Sequence, residues 1–390
     1  MNTTLREVAV GGLLLTTLLL YTPFAPPLLS QTLCLTAFVY VGTLCVQHKS
    51  EFRIHRGTLL ALTTLLVLYG SHLALNPNLP GLLRVPAYVL SAVVLVILLP
   101  EAIPKRSFLL SLGVVGLSMS VLALLLAPFP AFRWKPGSGF VIKSIFQNPQ
   151  SLGVIAGAGV WGLVPQTIRG KRRRVAAAGL ALCLVVIVLA ENRSILLGLT
   201  GGFAVVFAQR YWGALASVPV VAIGAVGSLV VFGIVFNILP GPTALATYDL
   251  NNRVPLWIAA VEAVSQSPRA LLFGYGAGNM SQLLEPYIVG RTPSGPHNGY
   301  LRMLLNTGVL GLLAYLRIQL GALNCLRTAV SVNELTIVGL LVTFMIADLF
   351  GSVTFFGFST DTFLLAGATG YALRMTINDD ESIPSAVPSD

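Results

Sequence analysis

The sequence predicts an all-α, polytopic transmembrane protein of about twelve spans. Two observations carry that reading. Of 390 residues, 55% are hydrophobic and only 10% are charged, which suits lipid better than water. Long apolar runs also recur along most of the chain, and about 20 residues at 1.5 Å rise cross the hydrocarbon core as a helix. Lysine and arginine partition between alternate connections, as expected of a chain that crosses a membrane repeatedly.

The runs fall in order at 8 to 22, 28 to 47, 58 to 75, 84 to 100, 108 to 127, 150 to 165, 175 to 190, 194 to 208, 213 to 239, 298 to 316, 334 to 350 and 360 to 375. The first is expected to be a retained helix, because no charged leader and small-residue cleavage site precedes it. The seventh and eighth form a tight hairpin. Residues 1–376 are expected to make one integral membrane domain. The stretch INDDESIPSAVPSD at 377–390 is acidic, proline-containing and poor in apolar residues, so it reads as a disordered cytoplasmic tail.

With the N-terminus inside, the inner connections hold fifteen of the 24 basic residues, five of them in IRGKRRR. Four of the other nine, Arg253, Arg269, Arg291 and Arg302, lie in one long outer loop or just past it, where the positive-inside bias hardly applies. Both termini are therefore expected in the cytoplasm, with the protein in the cytoplasmic (inner) membrane. The net charge of +10 is accounted for by topology and by attraction to anionic membrane lipids, and it asks for no nucleic-acid partner. Four cysteines, Cys34, Cys45, Cys183 and Cys325, show no CxxC spacing and no outer-loop pair, so they read as packing residues.

The chemically unusual residues cluster on the outer side. A loop of about 57 residues runs from Pro240 to Pro296, far longer than a typical connection. Within it Asn252 is a plausible cap and Pro255 a first-turn residue for a short amphipathic helix over Pro255 to Ser267, suited to the membrane interface. In LLFGYGAGNM, Gly274, Gly276 and Gly278 permit a turn or a close backbone approach to a ligand. His297 stands at the mouth of the next span. Arg193 sits at the outer tip of the hairpin, where a lipid phosphate would lie. Arg253 precedes the amphipathic helix, whose dipole favours an anion. Arginine's planar fork suits bidentate phosphate binding. Each has a plainer reading: Arg193 as the partner of Glu191, Arg253 as the partner of Asp249, and His297 as a helix cap.

Four segments together resemble one family. PHNGYLRMLLNTGVLGLL, from Pro296, is similar to the signature of the O-antigen ligase and polymerase superfamily, in which a His-Asn pair opens a helix followed by a Gly-x-x-Gly turn. FQNPQSLGV at Phe146 to Val154 resembles its Asn-Pro motif. NRSILLGL resembles its hairpin motif, with Asn192 where the family often has Ser or Thr, and NNRVPLWIAAVEAVSQSPRALLFGYGAGN resembles its arginine, tryptophan and glycine-loop segment. The likeness covers roughly residues 140 to 315.

The resemblance implies a glycosyltransferase that takes a glycan from a polyprenyl diphosphate carrier and joins it to an acceptor hydroxyl on the outer face. It implies His297 as general base and Arg193 and Arg253 as diphosphate ligands. Arg291, Asn298 and Tyr300 are further substrate-binding candidates, and Asn148 is a weaker, structural suspect. The outward acids Asp249, Glu262, Glu285 and Asp361 are scattered, so no metal and no other cofactor is expected. A lipid core, a growing glycan or a protein would each serve as acceptor. One compact outer loop carrying the arginine, glycine and histidine motifs together favours a ligase over a polymerase. The reading from another class is a transporter or flippase for a lipid-linked glycan or anion, against which stands the scarcity of ionisable residues deep in the spans.

Overall fold

A computed structural model describes residues 3–47, 54–75, 77, 79–134, 140–213, 216, 218–224, 226–227, 253–278, 280–288, 295–351 and 354–380. The expected ninth span at 213–239 lies largely outside them. Residues 240–252, Asn252 among them, Arg291 and the last ten residues lie outside them altogether.

Among the described residues every regular element is helical. The helices are α1 (Thr3–Leu19), α2 (Pro27–Gln47), α3 (Arg56–Leu75), α4 (Leu79–Ala92), α5 (Leu99–Ala102), α6 (Lys105–Leu126), α7 (Pro149–Arg169), α8 (Arg173–Leu189) and α9 (Arg193–Trp212). They continue with α10 (Val254–Ser265), α11 (Pro268–Phe273), α12 (Met280–Leu284), α13 (Gly299–Leu323), α14 (Val332–Asp348) and α15 (Thr360–Asp380). A π turn, Val93–Leu98, joins α4 to α5. Among the described residues, six stretches are long and apolar enough to cross a membrane: Leu28–Gln47, Arg56–Leu75, Gly81–Ala102, Lys105–Leu126, Pro149–Arg169 and Gly299–Arg327. Helix α15 runs to Asp380, so its last four residues lie inside the expected tail.

Lipid tails are as apolar as leucine, so helix association in a membrane depends on close packing of small residues and on hydrogen bonds across helices. Both devices are used here. Helices α6 and α7 meet backbone to backbone, since a Cβ at Gly113 would lie 2.9 Å from the carbonyl carbon of Gly162. Helices α9 and α14 meet in the same way, since a Cβ at Gly202 would lie 2.7 Å from the Gly339 carbonyl oxygen. Thr343 joins three helices: its hydroxyl accepts from Trp161 Nε1 of α7 at 2.9 Å and donates to the Gly198 carbonyl of α9 at 3.1 Å. All four cysteines are buried.

The described segment between α9 and α13 has a small core of its own. Leu256, Ala259, Ala260, Ala263 and Val264 of α10 pack with Leu284, Ile288 and Leu305, and with the partly buried Leu301 and Leu304 of α13. That cluster seats α10 and α12 on the first two turns of α13.

Candidate functional site

Three helix starts carry the sequence-derived candidates, and each is held by specific bonds. Arg193 is the first residue of α9. Its neighbour Asn192 caps that helix, accepting from Ile195 N at 3.1 Å and from the Ser194 hydroxyl at 2.8 Å. The Asn192 amide also donates to the Gln150 carbonyl at 2.8 Å. Gln150 lies in the first turn of α7, which Asn148 caps through Ser151 N at 3.0 Å. The segment FQNPQS therefore anchors the hairpin tip. Gly153 makes room for Asn192, whose amide nitrogen would lie 2.5 Å from a Cβ there. A serine at 192 would keep the cap, but its shorter side chain would not span to Gln150.

His297 precedes α13 with a φ of 48°, in the left-handed region that side-chain-bearing residues seldom adopt and that recurs at functional sites. Asn298 fixes it there. Its side chain accepts from Leu301 N at 3.0 Å as the α13 cap and donates to the Leu349 carbonyl at 3.0 Å. The Tyr300 hydroxyl donates to the Met345 carbonyl at 3.2 Å. Leu349 N bonds to Ile346 and Ala347, so Met345 and Leu349 present the kind of orphan carbonyl found at every helix end. Asn298 and Tyr300 thus spend their polar atoms on the C-terminal end of α14.

The same end of α14 receives the other two elements. Trp257, one turn into α10, lies with its ring centroid 6.5 Å from that of Phe350, and Trp257 N bonds the Arg253 carbonyl at 3.0 Å. Arg253 occupies the cap position expected for Asn252. It is partly buried, and burial pushes its pKa down. On α9, Gly198 lies against Thr343 and Gly201 against Ile346. One further turn toward the start of α9 brings Arg193 to the level of Leu349 and Phe350. The structure therefore brings the helix starts bearing Arg193, Arg253 and His297 to one end of one helix. Arg193 is exposed and His297 partly exposed.

The glycine loop makes its close backbone approach to α13. Gly308 interrupts α13 with φ 65° and ψ −168°, a region open only to glycine. The carbonyls of Leu305 and Asn306 just before it accept from Tyr275 N and Gly276 N, each at 2.8 Å. A Cβ at Gly274 would lie 2.5 Å from Thr307 N. The N-terminal helices brace the loop: His72 Nε2 lies 2.7 Å from the Phe273 carbonyl, and the Arg84 guanidinium donates to the carbonyls of Ala277 and Gly278.

Two charged residues at the site went unmarked as candidates in the sequence. Asp348, fully buried, accepts from the Tyr315 hydroxyl at 3.2 Å directly beneath Leu349. Arg302, in the first turn of α13, hydrogen-bonds Tyr88, with Tyr69 and Tyr21 close by. Their ends of α14 and α13 were legible, but the partners come from distant helices. Among the described residues, no group of three or more His, Cys, Asp or Glu side chains gathers in a form that would hold a metal.

Residues 178–316 match the model of a family described as O-antigen ligase. The match takes in Arg193, Arg253, the glycine loop, His297 and the kink of α13. No curated protein matches the chain.

Proposed function

We propose that this integral membrane protein, whose residues 178–316 match the O-antigen ligase family model, transfers a glycan from a polyprenyl diphosphate to an acceptor hydroxyl on the outer membrane face. The observation that carries the reading is the convergence of three helix starts, bearing Arg193, Arg253 and His297, on the end of α14. In this reading the imidazole of His297 takes the proton of the acceptor hydroxyl as its oxygen bonds to the anomeric carbon. The bond from that carbon to the diphosphate oxygen breaks, and the polyprenyl diphosphate leaves with the electron pair. Arg193 and Arg253 neutralise the charge that gathers on it, no metal takes part, and the anomeric centre inverts. His297 later gives its proton to water.

Asn298 and Tyr300 act by positioning, since their polar atoms face α14. Arg291 remains a candidate donor or acceptor ligand. Twelve spans, cytoplasmic termini, an interfacial α10 and a ligase rather than a polymerase complete the proposal, the last on the strength of the compact outer loop.

The test is transfer in vitro. Purified protein is given a polyprenyl diphosphate-linked glycan, EDTA and a panel of lipid, glycan and peptide acceptors, and wild type is compared with His297→Ala. We expect glycan on one acceptor with wild type, and a fall of about two to four orders of magnitude with the variant. Near-normal turnover by His297→Ala would overturn the base assignment. Dependence on a divalent metal would overturn the metal-free chemistry.

A further inference from the structure

The end of the bundle opposite His297 holds a second polar site. A small pocket, open to solvent, lies between the start of α3, the π turn with α5, and the last turns of α15, lined among others by His55, Val96, Glu101, Leu373 and Arg374. The π turn shapes one wall. Its carbonyls of Leu95 and Val96 abut Gly370, where a Cβ would lie 2.7 Å from either oxygen, and π turns often mark functional positions. At the floor, Arg374 Nε meets Glu101 Oε1 at 3.0 Å, with the Glu101 side chain only 3% exposed. Arg374 Nη1 is buried and, among the described residues, has no hydrogen-bond partner. A buried guanidinium donor without an acceptor is costly and asks for one.

The mouth adds one positive charge, from Arg317, and a polar ring, from His55, whose Nδ1 accepts from Gly57 N at 3.2 Å. Arg317 Nη2 and His55 Nδ1 flank Gly57, at 3.0 and 3.3 Å from where its Cβ would be, and Arg317 Nη1 also reaches Gly321, which adjoins Leu373. The remaining lining, Ile54, Val96, Ile97, Leu373 and Ile377, is aliphatic. We infer that this pocket binds the phosphate of an anionic phospholipid, with Arg317, His55 and Arg374 Nη1 on the phosphate and the aliphatic wall along the lipid's glycerol and upper acyl chain. Glu101 neutralises Arg374 at Nε, and among the described residues no carboxylate pairs with Arg317, which favours an anionic over a zwitterionic headgroup. Arginine in a basic pocket between helices at a membrane boundary suits that chemistry. The inference is independent of the glycan reading.

The test uses the full chain in nanodiscs or detergent and measures lipid binding by native mass spectrometry and by shift of the thermal unfolding midpoint. The probes are phosphatidylglycerol, phosphatidylcholine and inorganic phosphate. Arg317→Gln and His55→Asn alter exposed side chains and leave the Glu101–Arg374 pair intact, so folding is preserved. A Lys171→Gln, Arg172→Gln double variant in the exposed basic run controls for general surface attraction. We expect one phosphatidylglycerol held in preference to phosphatidylcholine, a loss of about fivefold in affinity with Arg317→Gln, a smaller loss with His55→Asn, and none with the control. Equal binding of both lipids, or a loss seen only in the control, would overturn the site. Inorganic phosphate competing as strongly as the lipid would make it a free-anion site and overturn the lipid assignment.

Discussion

Asn298 shows how one side chain sets the chemistry of its neighbour. It caps α13 and tethers that helix to the Leu349 carbonyl, so the left-handed turn at His297 is defined from both sides. Removing it leaves Leu301 N and a partly buried carbonyl without partners, at a cost of about 1 kcal/mol for the cap and about 1 kcal/mol for the carbonyl. Asn298→Ala should lower the thermal midpoint and reduce turnover together. Asn298→Ser keeps the cap without the tether and should fall between. Thermal unfolding and transfer assays on both variants check this, and wild-type values for Asn298→Ala would show that the tether contributes nothing. Asn192 works alike on the hairpin, where one amide serves as cap and as strut to Gln150.

Interrupted helix α13 owes its shape to a pairing of glycines. The kink at Gly308 frees two carbonyls, and the backbone of the glycine loop takes them up. Gly308→Ala would place a residue where only glycine is comfortable, at a cost of about 1 to 3 kcal/mol, and would drive a Cβ into the Leu272 backbone. The expected result is a lower thermal midpoint with earlier proteolysis of the loop that carries α10 to α12, measured by limited digestion in detergent. Digestion unchanged from wild type would mean that the loop is held without the kink. The glycines were visible in the sequence as a possible close approach, but the ligand they approach is another helix, thirty residues on.

Across the bundle, polar function separates toward the two ends. His297, Arg193 and Arg253 gather at one, and His55, Arg317 and the Glu101–Arg374 pair at the other. The proposed topology puts the first outside and the second inside. Single cysteines introduced at Lys171 and Gln282, both exposed, test it with a membrane-impermeant thiol reagent on intact cells, because the native cysteines are buried. Label at 282 alone is expected. Label at 171 alone, or at both, would overturn the orientation.

Helical class, the hairpin, and the standing of His297, Arg193 and Arg253 as unusual residues were readable from the chain alone. Each depends on local quantities: the length of an apolar run, the spacing of turn residues, the rarity of charge in lipid. The meeting of three helix starts on the end of α14 was not readable, nor was the commitment of Asn298 and Tyr300 to backbone carbonyls. The partners of Asp348 and Arg302 and the π turn behind the second pocket were equally hidden. Those features join residues tens to hundreds of positions apart. Hydropathy and spacing along the chain say which side chains are unusual, and only packing between helices says which of them share a place.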